Sequence, residues 1–431
     1  MHALAISEQG TTVHADGDTL VLRRGDSVLR RVRAGELDQV LLFGGVDITS
    51  RAMALLLRRQ IDLVLLTQNG NFRGRLCGRG SKNVQLRLTQ YQRSTDPAFC
   101  LRVARAIVAG KLQNQRQILL RAQRRLQDND LAVVLGSLRV LGQRAAECGD
   151  LDVLRGLEGQ GAALYFGQFG KLIRNPAFQF STRTRRPPRD PVNALLSFGY
   201  AVLGSTAETE VYRCGLDPML GFLHQSAYGR PSLMLDLLEE FRPLIDTLVL
   251  RVINRRQVGE KDFERRGEKT AEEVLAESAP PAPPPARDGD EGAEFPWDEP
   301  AEPAMRRAED EPDPAAAACE PAAVSMPTTP GCPAADIAWG QACGSAGSVP
   351  AAPAPRGEAS PTAGEPVIGV YLNDVGRKVF LTELFRRLRE RLYYPPREST
   401  LELRDVLRHQ TYHLARVIEG KDDVYVPFAP D

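Results

Sequence analysis

Apolar positions change their period along this chain, and the change divides it. Over the first 90 or so residues the pattern is that of strands. ALAI at 3–6 is followed by TLVLRR at 19–24 and SVLRRV at 27–32, which face each other across Gly25-Asp26, a dipeptide suited to the positive φ of a hairpin turn. QVLLFG from Gln39 reads as a buried strand. Asp47 or Thr49 can cap a helix running to about Arg59, and IDLVLLTQ and FRGRLC supply two further strands. From Thr95 the spacing becomes three and four residues. Asp96-Pro97 is a helix start, and the stretch through Leu126 keeps one apolar face for several turns. Helical spacing recurs over 130–146, 151–167, 192–213, 231–255, 381–394 and 399–419, broken at Cys148-Gly149-Asp150 and Pro187-Pro188. Pro243, lacking an amide hydrogen, is expected to kink or end its helix nearby. The expected fold is α+β, an N-terminal β-rich domain followed by an all-helical C-terminal domain.

Residues 265–365 fit neither period. They hold 18 of the chain's 31 prolines, many alanines and little to bury, so they are expected to form a disordered acidic insert. The alternative is a linker between independent domains, but the 66 residues after it are mostly two helices, a thin basis for a separate fold. The expected boundaries are therefore a β-rich domain at 1–92, a helical domain at 95–264 and 366–431, and the insert between its two parts.

Charge sharpens this division. The chain is neutral overall, yet residues 1–264 carry 37 basic and 26 acidic side chains, 265–365 carry 7 and 19, and 366–431 carry 11 and 10. Outside the insert the protein is thus at +12, a balance suited to a polyanion and also found in proteins that bind none. The insert at −12 is a candidate electrostatic shield for that basic surface, or simply a tolerated linker. Seven cysteines without a CxxC pair suggest neither a disulfide framework nor a zinc knuckle, and imply reduced thiols. With no secretory start and no run of 18 apolar residues, a cytoplasmic protein that does not span a membrane is expected.

Three segments carry candidate chemistry. GLEGQGAALYFGQFGKLI sets Glu158 among Gly156, Gly159 and Gly161, a glycine density that suggests close backbone approach. GLDPMLGFLHQSAYGRPSL ends an apolar run with His224. In LMLDLLEEFRPLIDTLVL, Asp236 and Glu239 lie three apart, beside the apolar stripe of Leu233, Leu237, Phe241, Leu244 and Leu248. Taken singly, each fits a plain structural role: an exposed glutamate near a helix start, a packed histidine, two acids on a solvated face. His409 and His413, four apart in the last helix, have no acidic partner placed by motif and are read as packing residues.

Together with NALLSFGYAVL, the late HQTYHLARVIEG and the N-terminal LLFGGVDITSRAMALLLRRQIDLVLLTQNGNFRGRL, these ordered blocks resemble the first Cas protein, the CRISPR-associated integrase that inserts new spacers. The resemblance spans nearly everything outside 265–365. It implies that Glu158, His224 and Glu239 bind a divalent metal, with Asp236 as a supporting acid in the catalytic group. Oxygen ligands with one imidazole suit Mg²⁺ or Mn²⁺ better than zinc. It further implies a homodimer formed through the β-rich domain, two dimers bridged by the small second Cas protein, and double-stranded DNA as substrate, both spacer precursors and repeat array. A DNA 3′-hydroxyl as nucleophile gives strand transfer; water gives nicking. Arg183, Arg185, Arg186 and Arg189 around Pro187-Pro188, and Arg242, are candidate DNA contacts. Lys111, Asn114, Gln115 and Arg116 match another family block, either as DNA contacts or as caps on a neighbouring helix; the roles of Tyr165 and Asn193 stay open. Two rivals remain: a stand-alone structure-specific nuclease and a DNA-binding scaffold with a degenerate site.

Overall fold

The structure, a computed structural model, describes residues 3–78, 83–224, 227–267 and 368–429. The insert expected at 265–365 falls outside them except for its first three residues.

The N-terminal part is built of two four-stranded sheets. β1 (Ala3–Ile6), β5 (Gln39–Phe43) and β7 (Asp62–Leu66) run parallel, and β8 (Phe72–Leu76) closes that sheet antiparallel to β7. The second sheet has the order β4 (Ser27–Arg33), β3 (Thr19–Arg24), β2 (Thr12–Asp16), β6 (Asp47–Ile48). Arg24 pairs with Ser27 across Gly25-Asp26, with Gly25 at φ 56°, so the hairpin forms where its turn dipeptide stands. Helix α1 (Ser50–Arg58) begins at Thr49, whose hydroxyl accepts from the Ala52 amide.

All five residues of β5 are buried because both faces of its sheet are covered. Val40 and Leu42 join Leu4, Val13, Leu20, Leu55 and Leu63 in the core between the two sheets. Leu41 and Phe43, pointing the other way, belong to the large core of the helices, as do Val64 and Leu66 of β7. The β-rich and helical parts therefore pack as one unit. Helix α2 (Val84–Ser94), which hydropathy spacing did not reveal, runs through the boundary expected at residue 92.

The helical part follows the sequence closely. α3 (Pro97–Leu126) starts at Asp96, which caps the Ala98 and Phe99 amides. α4 (Asn129–Glu147), α5 (Leu151–Phe169) and α6 (Pro191–Cys214) are capped in turn by Asp128, Asp150 and Asp190. α7 (Ser232–Asn254) runs through Pro243 without ending. The proline removes the donor owed to the Glu239 carbonyl, but Phe241, Leu244 and Ile245 around it are buried, and tertiary packing carries the helix across the gap.

Two short ladders interrupt the helices. β9 (Phe263–Gly267) pairs antiparallel with β10 (Ile368–Leu372), so Arg265 and Arg266 belong to the folded unit rather than to the insert. After α8 (Asp374–Leu388), residues expected to continue the helix form β11 (Arg391–Tyr394), which pairs with β12 (Ser399–Glu402) before α9 (Leu403–Ile418). Pro395-Pro396 ends helix propagation there, and the aromatic Arg-Leu-Tyr-Tyr run favours a strand. Among the described residues no helix is long and apolar enough to cross a membrane.

Candidate active site

Three helices and one loop bring the candidate residues together. Lys111 projects from α3, Glu158 from α5, and Asp236, Glu239 and Arg242 from one face of α7, three residues apart each time. His224 comes from the loop between α6 and α7. Close packing of α3 on α5 sets the first two: a Cβ on Gly161 would collide with Leu112 Cδ2, so this glycine is the close approach that the glycine density suggested. Gly156 and Gly159 face open space.

Asp236 is fully buried and organises the loop. Its Oδ2 accepts from the amides of Phe222 (2.6 Å) and Leu223 (2.9 Å), and its Oδ1 from the amide of His224 (3.0 Å). The imidazole Nδ1 of His224 lies 2.6 Å from the same Oδ1. Both oxygens are thus engaged, and His224 Nε2 turns toward Glu239 Oε1 at 3.9 Å. The loop can lie this close because residue 221 is glycine. A Cβ there would stand 2.7 Å from Asp236 Oδ2 and 2.8 Å from the Ser232 carbonyl carbon. Arg155 ties the loop to α5 by donating to the Leu223 carbonyl at 2.9 Å.

Glu239 is held between two cations. Arg242 Nη1 is 3.1 Å from its Oε1 and Lys111 Nζ 2.5 Å from its Oε2, while Lys111 also pairs with Glu158 Oε1. Burial alone would raise the Glu239 carboxyl, but Arg242 and Lys111 outweigh it and lower the group to about 2. Of the trio, Glu158 and His224 keep side-chain exposures of 26% and 22%, so the centre opens on their side, whereas Glu239 is closed in at 3%.

Further along α7 lies another buried acid. Asp246 accepts from Tyr165 at 3.0 Å and from the Tyr200 hydroxyl, and burial raises its carboxyl to about 6 against the pull of those bonds. The guanidinium groups of Arg242 and Arg183 lie over the Tyr200 ring at 5.3 and 5.6 Å. Sequence spacing could not show Tyr200, Asp246 or Gly221 at this site, because each is defined by a partner distant in the chain.

The remaining candidates divide. Arg183 is built into the fold, donating to Asn193 Oδ1 (2.8 Å) and Ser197 Oγ (3.0 Å). Asn193 in turn holds the Thr182 carbonyl and the Thr184 amide, which accounts for its place in the motif. Arg242 faces Glu239, with its side chain 17% exposed. Arg185, Arg186 and Arg189 are exposed on the segment leading to α6. Asn114 ties the carbonyls of Glu240 and Phe428, and Arg116 donates to the Leu135 carbonyl, so these two serve the helix packing while Lys111 of the same block enters the centre. His413 accepts from the Val426 amide at 3.0 Å and pairs with Asp422, and His409 stacks on Tyr394; both pack as expected.

Among the described residues no three His, Cys, Asp or Glu side chains are drawn together closely enough to hold a metal by themselves. What the centre holds between Glu158 and Glu239 is the positive charge of Lys111. Two carboxylates and one imidazole are donor types that Mg²⁺ and Mn²⁺ accept, and the space between the two carboxylates already accommodates a cation.

Fold and centre together define an α+β protein whose carboxylate–imidazole group comes from two helices and a loop, with a lysine from a third helix between the carboxylates. The family model described as CRISPR associated protein Cas1 matches residues 4–279, and the chain belongs to that family. A CRISPR-associated endonuclease Cas1 of Rhodospirillum rubrum is 40% identical over 276 residues, 62% of this chain and 79% of the relative. A Cas4 exonuclease/Cas1 endonuclease fusion of Geobacter sulfurreducens is 42% identical over 261 residues, 59% of this chain; the chain spans 47% of that fusion's length. Among solved structures, a Cas1 protein of Thermotoga maritima superposes with a TM-score of 0.64 at 21% identity, covering 99% of each chain. A chain of a Cas6-RT-Cas1–Cas2 complex superposes at 0.67 and 19% identity, covering 99% of this chain and 36% of the other.

Proposed function

We propose that this protein is a divalent-metal-dependent integrase and endonuclease of CRISPR adaptation, joining the 3′-hydroxyl ends of short duplex DNA into the repeat array. The observation that carries the reading is that Lys111 Nζ joins Glu158 of α5 to Glu239 of α7, while His224 Nε2 from the loop faces the other oxygen of Glu239 at 3.9 Å. Glu158, His224 and Glu239 would hold Mg²⁺ or Mn²⁺. When bound, the ion would polarise the scissile phosphate and stabilise the leaving oxygen.

The chain's own residues prepare that chemistry. Asp236, on Nδ1 of His224, favours the tautomer with its proton there and leaves Nε2 as the donor atom aimed at the centre. Arg242 and Lys111 keep Glu239 ionised. Arg185, Arg186 and Arg189 are exposed and suit phosphate contact. For a homodimer through the β-rich part, the support is β4, an edge strand with Val28 and Leu29 about half exposed. Bridging by the small second Cas protein rests on family membership and on the Cas1–Cas2 neighbour.

A supercoiled plasmid bearing a repeat, incubated with a 3′-hydroxyl duplex and Mg²⁺, Mn²⁺ or chelator, tests the reading. Joined products that vanish in chelator support integration. Nicks alone support a stand-alone nuclease, and processing that survives Glu158→Ala, His224→Ala and Glu239→Ala would point to a scaffold with a degenerate site.

A further inference from the structure

Lys111 stands where the proposed metal would act, and its surroundings show why one of the two must yield. Its side chain is 4% exposed, with Nζ 2.5 Å from Glu239 Oε2 and paired with Glu158 Oε1. Without it, two carboxylates on different helices would face each other with one of them, Glu239, closed in, a costly arrangement unless a cation joins them. With it, a divalent ion would bring two further charges beside a cation already in place. Arg242 cannot readily leave, since its planar head is fixed between Glu239 and the Tyr200 ring. Lys111 carries a point charge on a flexible four-carbon stem, and Glu158 beside it opens toward solvent.

We propose that Lys111 is a placeholder for the divalent cation: it holds Glu158 and Glu239 together in the metal-free protein and is displaced when the metal enters, so that it sets the affinity of the site. This inference rests on the metal-site reading of Glu158, His224 and Glu239. It makes Lys111 a positioning residue whose removal strengthens metal binding, the opposite of what a merely structural lysine would do.

The test is a Mn²⁺ titration of the full chain and of Lys111→Met, following free Mn²⁺ by electron paramagnetic resonance, with melting in chelator alongside. Lys111→Met is expected to bind Mn²⁺ at least about tenfold more tightly, or ~1.4 kcal/mol. It should also melt lower in chelator and gain more from Mn²⁺ than the parent does. Equal or weaker binding overturns the placeholder role while leaving the metal site standing. If neither protein binds Mn²⁺, or if Glu239→Gln leaves binding intact in both, the metal-site reading falls and takes this inference with it. Should Lys111→Met fail to fold, acetylation of Lys111 in the parent protein, read by peptide mass spectrometry, decides the matter. Mn²⁺ should raise labelling several-fold over chelator, and unchanged or reduced labelling overturns the proposal.

Discussion

Asp236 Oδ1 meets both the backbone amide and the ring Nδ1 of His224, at 3.0 and 2.6 Å, so one carboxylate sets where the histidine lies and which ring nitrogen faces the centre. Such an acid acts through its neighbour. Asp236→Asn keeps the size but offers a donor to the amides of Phe222 and Leu223, which need an acceptor. Mn²⁺ affinity and DNA processing should both fall by about 10–100-fold, measured by metal titration and by plasmid nicking. Unchanged affinity would show that the ring needs no such orientation.

Glycines near the centre should respond in opposite ways. Gly221→Ala places a methyl group against Asp236 and the Ser232 backbone, and Gly161→Ala drives one into Leu112. Each should destabilise by about 1–3 kcal/mol in urea unfolding, and the first should also reduce DNA processing by lifting His224. Gly156→Ala and Gly159→Ala meet no obstacle and replace a poor helix former, so each should stabilise by up to ~1 kcal/mol.

Glu240, next to the centre but turned away from it, predicts a pH dependence of stability. Burial raises its carboxyl to about 8, against hydrogen bonds from the Tyr425 hydroxyl and the Phe428 amide. A raised carboxyl binds its proton more tightly in the folded than in the unfolded chain. Its contribution is therefore fully present below the ordinary glutamate range and is lost as pH climbs through about 8. The urea midpoint should fall between pH 5 and pH 9, at up to ~1.4 kcal/mol per pH unit from this group. Glu240→Gln, which cannot ionise, should flatten that decline; an identical slope would assign the dependence elsewhere.

The arginines should separate by role. Replacing Arg185, Arg186 and Arg189 together with alanine should weaken DNA binding uniformly across sequences. The dependence of affinity on salt should also become shallower, by roughly 0.9 for each phosphate no longer neutralised. Arg183→Ala removes bonds to Asn193 and Ser197 and should lower the melting temperature.

Much of this was legible in the sequence because local rules suffice for it. Asp96 starts its helix as capping chemistry requires, a break falls at Cys148-Gly149-Asp150, and Gly25-Asp26 turns its hairpin. The β9–β10 ladder was not legible, since Arg266 pairs with Gly369 about a hundred positions away and neither strand has a distinctive period. At the centre, Glu158, His224 and Glu239 were found by resemblance, not by pattern, for each alone is an ordinary residue of its element. Lys111 shows the limit most clearly. Its own helix marks it only as part of a block that resembles the family, as DNA contact or cap; its two acidic partners, on α5 and α7, define its place.

The ladder joining β9 to β10 also has a bearing on how this chain tolerates change. Because Gly267 and Ile368 sit opposite each other, the described residues on either side of 268–367 lie next to each other in one ladder. The entropy of closing such a loop grows only logarithmically with its length, so additions there cost the catalytic unit little. Between these two strands is therefore the place to splice in a reporter or a tethered domain, since a ladder, and not a helix holding Glu158 or Glu239, bears the junction.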